Sequence, residues 1–246
     1  MICSECMRNL NYSTKNNLRV KKETKSGKTY GFELECIPKS KNHKAFMLQP
    51  QYNLKATKDS SLPPSGVEFK TPTYNSLRGL RKTFHTFNEH VRFNNAKCGQ
   101  HINIGDKKYI NEHSMQLLRH YGIVIFDGLY DYMYEHKEET IKVCGRFFND
   151  YASHSISYIS HCSWVNLSHD NRIEFRLSKF VTPNQYFTLT CMWTDMLNCI
   201  INNLINTYNW HDFGTPVDYS KYFRDCSKVS NKLIKIFKRY ARCTDC

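Results

Sequence analysis

Gly31-Phe32-Glu33-Leu34-Glu35, flanked by Tyr30 and by Cys36-Ile37, reads as the middle of a β-strand. Side chains alternate faces along a strand, so Glu33 and Glu35 point one way while Phe32, Leu34 and Cys36 point the other, into a core. Two neighbouring carboxylates repel, and such a pair is easiest to keep when a cation sits between them. The rest of the chain repeats this layout. Gly66-Val67-Glu68-Phe69-Lys70-Thr71-Pro72 is a short strand with Glu68 and Lys70 on one face, ended by Pro72 and preceded by the turn-rich Asp59–Ser65. Cys98–Gly105 alternates His101 and Asn103 against Ile102 and Ile104. Arg172–Leu177 alternates Arg172, Glu174 and Arg176 against Ile173, Phe175 and Leu177.

Between these strands the apolar spacing is helical. Leu77, Leu80, Phe84, Phe87 and Val91 form one stripe, and Leu118, Tyr121, Ile125, Leu129 and Met133 form a second over Glu112–Tyr134. A short helix is expected over Glu138–Tyr151, carrying Arg146, and a further strand at Ser163–Leu167. Thr182-Pro183 opens a long helix with its stripe at Leu189, Met192, Met196, Ile200 and Leu204. The last helix, about Tyr219–Tyr240, buries Val229, Leu233, Ile236 and Tyr240 and exposes Lys228, Lys232, Lys235 and Lys238. Lys39–Leu54 and residues 207–220 read as loops. Alternating strands interleaved with helices predict an α+β fold: an antiparallel sheet with helices on one face and the other face open.

The 246 residues carry enough apolar material, 40 %, for one large core, and the net charge of +13 suits an anionic partner. No apolar run has the roughly 18 residues of a membrane helix, and Met1–Cys6 does not read as a signal peptide. The expectations are no membrane and a cytoplasmic location. Most of the eleven cysteines sit inside apolar patterns and read as buried thiols. The exceptions are Cys3-x-x-Cys6 and Cys243-x-x-Cys246, metal-type pairs which together make a candidate closed zinc site.

Any half-exposed sheet alternates polar and apolar, but its polar face usually carries Thr, Lys, Ser or Gln. Here it carries four glutamates, a histidine and an arginine. Carboxylates and imidazole suit Mg²⁺ or Mn²⁺, and arginine suits phosphate.

The four segments, in this order, resemble the motifs of the amidoligase family, which stands with the glutamine-synthetase-like carboxylate–amine ligases. Asp59-x-Ser61-Leu62, Arg146, Val165-Asn166-Leu167 and Asn184 also match its pattern, and the resemblance spans about Lys28 to Leu204. It implies a curved antiparallel sheet around an ATP and metal site in a catalytic domain of residues 28–208. Residues 1–27 and the basic helix of 209–246 would be extensions. Glu33 would share one metal with His101 and Glu174, and Glu35 would hold the other with Glu68. Arg146 and Arg176 would contact phosphate, with Asp59, Asn103 and Asn166 as further site residues. The implied substrates are a carboxylate and an amine, free or on a peptide or protein. Two other readings fit parts of the pattern: a metal-dependent nuclease or phosphodiesterase, using the same residue types, and a non-catalytic nucleic-acid-binding protein, favoured by the charge and the basic helix.

Overall fold

The structure, a computed structural model, describes residues 27–92, 98–154, 158–160, 162–179, 182–205 and 219–243. Cys3, Cys6, Cys246 and residues 206–218, most of the loop expected over 207–220, lie outside the described residues, as do the side chains of Leu80, Tyr121, Asn184 and Cys243; the zinc expectation falls there.

The strands are β1 (Lys28–Pro38), β2 (Lys55–Thr57), β3 (Val67–Lys70), β4 (Val91–Arg92), β5 (Gln100–Asp106), β6 (Val165–Asn166) and β7 (Ile173–Phe175). The helices are α1 (Lys41–Met47), α2 (Leu77–His90), α3 (Glu112–Glu135), α4 (Lys137–Cys144), α5 (Pro183–Ile200), continued by a π-helical turn at Ile201–Ile205, and α6 (Tyr219–Cys243). The sheet is open and antiparallel, in the order β2-β3-β1-β5-β7-β6, with β4 paired to one end of β1. The α+β expectation holds at this level.

Period-two alternation places the core. Phe32, Leu34, Phe69, Ile102, Ile104 and Phe175 leave the sheet on one face and are buried under the helices. Phe32 meets Phe84, Phe87 and Tyr186 edge-on, and Phe175 stacks on Trp193 at 4.4 Å, so β1 packs on α2 and α5 through aromatic rings. Burying one such ring contributes roughly 1.5–3 kcal/mol. The helix α6 lies against α3, α4 and α5. Its Val229, Leu233, Phe237 and Tyr240 join the same core, and Tyr240 and Arg239 hold Asp195 of α5. Phe237 takes the buried position expected of Ile236, which is only half-buried.

Two segments depart from expectation. Lys39–Leu54 is not all loop: Ser40 caps α1 by accepting from the His43 N–H at 3.3 Å. Seven residues are too short for an apolar stripe to show. The helix expected to run to Tyr151 stops at Cys144, because Gly145 adopts the left-handed conformation (φ 76°) that ends helices. A Cβ at Gly145 would fall 1.4 Å from the Lys179 carbonyl oxygen. Gly145→Ala should therefore cost about 3 kcal/mol or more, between left-handed strain and a backbone clash. The midpoint of urea unfolding checks it, and a midpoint within error of wild type would show that the turn relaxes freely. The stop at Gly145 carries Arg146 off the helix and over the sheet.

Candidate metal and phosphate site

The open face of the sheet is built in rows across the strands. Thr57, Glu68 and Glu35 make one row, Lys70, Glu33 and His101 the next, and Gly31, Asn103, Glu174 and Asn166 the third. Glu35 and Glu68 are thus direct cross-strand partners, an arrangement that costs free energy when both are ionised. The face is not a solvated one. Glu35 is 7 % exposed, Glu68 8 %, His101 3 % and Glu174 2 %.

Two sets of ligand atoms converge there. Glu33, Glu68 and His101 offer atoms within 4.8 Å of one another, and so do Glu35, Asp59 and Glu68. Glu68 belongs to both. Positive charge already gathers round them. Lys70 Nζ lies 3.2 Å from Glu33 Oε2 and 3.4 Å from Glu68 Oε2, and His101 Nε2 lies 3.6 Å from Glu35 Oε1. Each carboxylate is also oriented. Gly99 N–H donates to Glu35 Oε2 at 2.6 Å, Thr57 Oγ1 to Glu68 Oε2 at 2.6 Å, and Ser61 N–H to Asp59 Oδ1 at 2.7 Å.

Glu174, expected beside Glu33 on a metal, stands one step back. Its Oε1 is 3.0 Å from Arg176 Nη1 and 3.1 Å from His101 Nδ1, and its Oε2 accepts from Asn166 Nδ2 at 2.7 Å. A carboxylate bonded to a histidine nitrogen orients that ring and raises its basicity, and His101 Nδ1 also faces Glu33 Oε2 at 3.8 Å. Asn166 in turn positions Glu174 and accepts from Ser168 N–H. Asn103 accepts from Arg172 Nε at 2.8 Å and lines a cavity rather than the ligand sets.

The titrations record the crowding. Burial pushes Glu68 up, with the Thr57 bond opposing, and Glu33 adds to the rise. Burial would raise Glu33 too, but the bonds from His101 and Glu68 hold it at about 2. Glu174 stays well below the usual carboxylate range, because His101, His169 and Arg176 outweigh its burial. Burial alone would make His101 less basic, yet Glu174 and Glu33 win and raise it above 6.5. Lys70 and His101 keep the adjacent carboxylates from repelling, a task that a divalent cation does better.

Arg146 reaches the cluster over Gly99. A Cβ on Gly99 would lie 2.9 Å from Arg146 Nη1 and 3.2 Å from Glu35 Oε2, so the missing side chain makes room for the guanidinium. Arg146 is 9 % exposed, and its Nε and Nη2 have no hydrogen-bond partner among the described residues. Burial lowers it to about 10, with Glu35 opposing and Arg176 adding, and it remains charged at neutral pH. Arg176 Nε is likewise buried without a partner. Unpaired buried N–H groups of this kind are costly, and two arginines bearing them flank an acidic cluster.

At the opposite end of β1, beside Gly31, a cavity of about 420 Å³ opens onto Glu33. Arg172 and Lys107 line it. The Arg172 nitrogens meet only Asn103, Asn171 and His169, and no carboxylate among the described residues pairs with it. Lys70, Arg172 and His169 were legible only in part. Lys70 and Arg172 share the strand faces of Glu68 and Glu174, but His169 sits in what reads as a plain turn.

No family model matches the chain, and no curated protein matches it. The site's own geometry therefore carries the functional argument.

Proposed function

We propose that this chain is an ATP-dependent carboxylate–amine ligase built on a glutamine-synthetase-like sheet, as the order of its motifs implies. The observation that carries this reading is the pair of ligand sets sharing Glu68, beside a buried arginine with unpartnered N–H groups. The donor set is hard, all carboxylate and one imidazole, which fits two Mg²⁺ or Mn²⁺ ions. Glu33, Glu68 and His101 would hold one, and Glu35, Glu68 and Asp59 the other. When bound, such ions neutralise phosphate charge.

The chemistry follows from the poor reactivity of a carboxylate toward an amine. A carboxylate oxygen attacks the γ-phosphorus of ATP, the bond to the bridging oxygen breaks, and ADP leaves with that electron pair. The amine nitrogen then attacks the acyl carbon of the acyl phosphate. The carbon–oxygen bond to phosphate breaks, inorganic phosphate leaves, and a carboxylate takes up the amine's proton. The cavity beside Gly31 has the size and the cations, Arg172 and Lys107, for the nucleotide end. Arg146 and Arg176 offer their free N–H groups to the transferring phosphoryl oxygens. Positioning and charge stabilisation of this kind are the main demands of phosphoryl transfer.

Phosphate release from γ-labelled ATP should depend on both an acid and an amine. Absence of ATP binding by calorimetry with Mg²⁺ or Mn²⁺ present would sink the reading. Mg²⁺-dependent cutting of nucleic acid without ATP would favour the phosphodiesterase instead.

A pH signature follows from His101. Only the neutral ring binds a metal, and its carboxylate neighbours raise its affinity for a proton above the usual 6.5. Metal binding to the charged ring should then expel its proton, and affinity should climb as the pH rises through the titration of His101. Calorimetry in two buffers of different ionisation heat reads the proton directly. Buffer-independent heats at pH 7 would contradict it.

A further inference from the structure

The long helix α6 carries its charge on one side only. Lys221, Arg224, Lys228, Lys232, Lys235, Lys238 and Arg242 step by three or four residues and are all exposed. They occupy a single arc from Lys221 to Arg242, roughly 32 Å of helix at 1.5 Å per residue. Within this stretch of α6 the one acid is Asp225, 3.1 Å from Lys228. The opposite side of α6 is Val229, Leu233, Phe237 and Tyr240, all buried in the core. Arg239 shares the arc by its spacing but is held on Asp195, as Lys232 is on Asn203. The helix belongs to the layer packed on the apolar face of the sheet, whereas the acidic cluster lies on the other face. The basic arc therefore does not serve the small substrates of that cluster.

We propose that this face of α6 docks a nucleic-acid duplex through its phosphate backbone. The reasoning is one of exclusion by chemistry together with charge complementarity. A helix that lies in a membrane surface turns an apolar side to the lipid; the apolar side of α6 is already buried in its own protein. A stable protein partner needs an interface core depleted of charge and rich in aromatic and apolar groups, and Phe223, off the arc, is the one exposed large hydrophobic residue among the described side chains of α6. Single strands are held chiefly by stacking on exposed rings, and among its described side chains the arc presents none. A straight row of lysine and arginine on long stems matches a regular line of phosphates and needs nothing else. The docking is independent of the ligase reading and of its substrates. It would place the chain on a polyanion while the sheet face stays open.

The test uses the full chain and fluorescein-labelled 24-base-pair duplexes of DNA and of RNA, with anisotropy followed from low salt to about 0.2 M. Lys228→Gln/Lys235→Gln should weaken binding about tenfold or more at low salt. It should also lower the slope of log K against log salt by roughly two units, one for each lost phosphate contact. Lys41→Gln/Lys55→Gln removes the same charge from exposed sites on α1 and β2 and should change neither by much. Matching thermal melts for both variants would show that the fold is intact, as expected for exposed positions. Equal losses in the two double variants would overturn the proposal, since overall charge and not α6 would then be responsible. So would the absence of salt-dependent duplex binding by the wild type, or binding to vesicles with anionic lipid but to neither duplex. A preference between DNA and RNA would identify the duplex that α6 takes.

Discussion

A Glu68→Gln variant is expected to lose both divalent cations together, whereas Glu33→Gln and Glu35→Gln should each lose one. The difference rests on Glu68 being common to the two ligand sets. An amide oxygen is a weaker ligand than a carboxylate, and the loss should reach roughly a hundredfold in affinity. Without metal the sign reverses. Burial raises the Glu68 carboxyl, so its ionised form costs the folded state free energy at neutral pH. A raised acid is destabilising above its unfolded pKa and ceases to be so as the pH falls and the group is protonated. The neutral isostere removes that cost and the repulsion from Glu35 opposite it, while still accepting from Thr57. The metal-free variant should thus be more stable than wild type by about 0.5–1 kcal/mol. Wild type should gain stability with added Mg²⁺ through mass action, and the variant should not. Thermal melts with and without metal read both effects. A metal-free variant less stable than wild type would mean that Glu68 serves the fold through Lys70 and Thr57 and is not a frustrated ligand.

How much of this was legible in the sequence depends on which physical rule governs each residue. The faces of β1, β5 and β7 follow from period two, and Glu33, Glu35, His101, Asn103, Glu174 and Arg176 emerge on the open face as alternation requires. Register does not follow from alternation. That Glu35 faces Glu68 while Glu33 faces His101 and Lys70 is set by strand pairing, and so the sharing of Glu68 was invisible. The same limit hid the bond between Glu174 and His101 Nδ1. Asp59 comes close to Glu68 through a turn whose Asp-Ser-Ser chemistry is legible but whose direction is not. Arg146 fits a motif, yet its reach into the site depends on Gly145 ending the helix and on Gly99 leaving room. Each glycine is plain in the sequence, and its role appears only when the neighbouring backbone is in place. His169 and the other partners of Arg172, Asn103 and Asn171, belong to the same class of tertiary detail.

Arg146→Lys should separate the phosphate role of this residue from any structural one. Lysine keeps a positive charge near Glu35, so the balance of the buried cluster survives, and stability should shift by no more than about 1 kcal/mol. What lysine cannot reproduce is the planar fork with several N–H donors fixed in one plane. In the wild type two of the fork's nitrogens, Nε and Nη2, are buried and have no partner among the described residues. Their desolvation has a cost that no hydrogen bond from the described residues offsets. A phosphoryl or acyl-phosphate oxygen would offset it, and most fully in the transition state, where charge on the transferring group is spread over its oxygens. Loss of such a contact should lower turnover about a hundredfold, or near 3 kcal/mol. Mg²⁺ affinity should stay close to wild type, because Arg146 is no ligand. That profile, intact metal binding and fold with lost turnover, is the reverse of the Glu68→Gln profile. If Arg146 instead only neutralises Glu35, the lysine variant should work nearly as well as wild type, and Arg146→Met should destabilise the fold without any separate effect on turnover per folded molecule. Turnover within about twofold of wild type in Arg146→Lys would remove the arginine from the phosphate site.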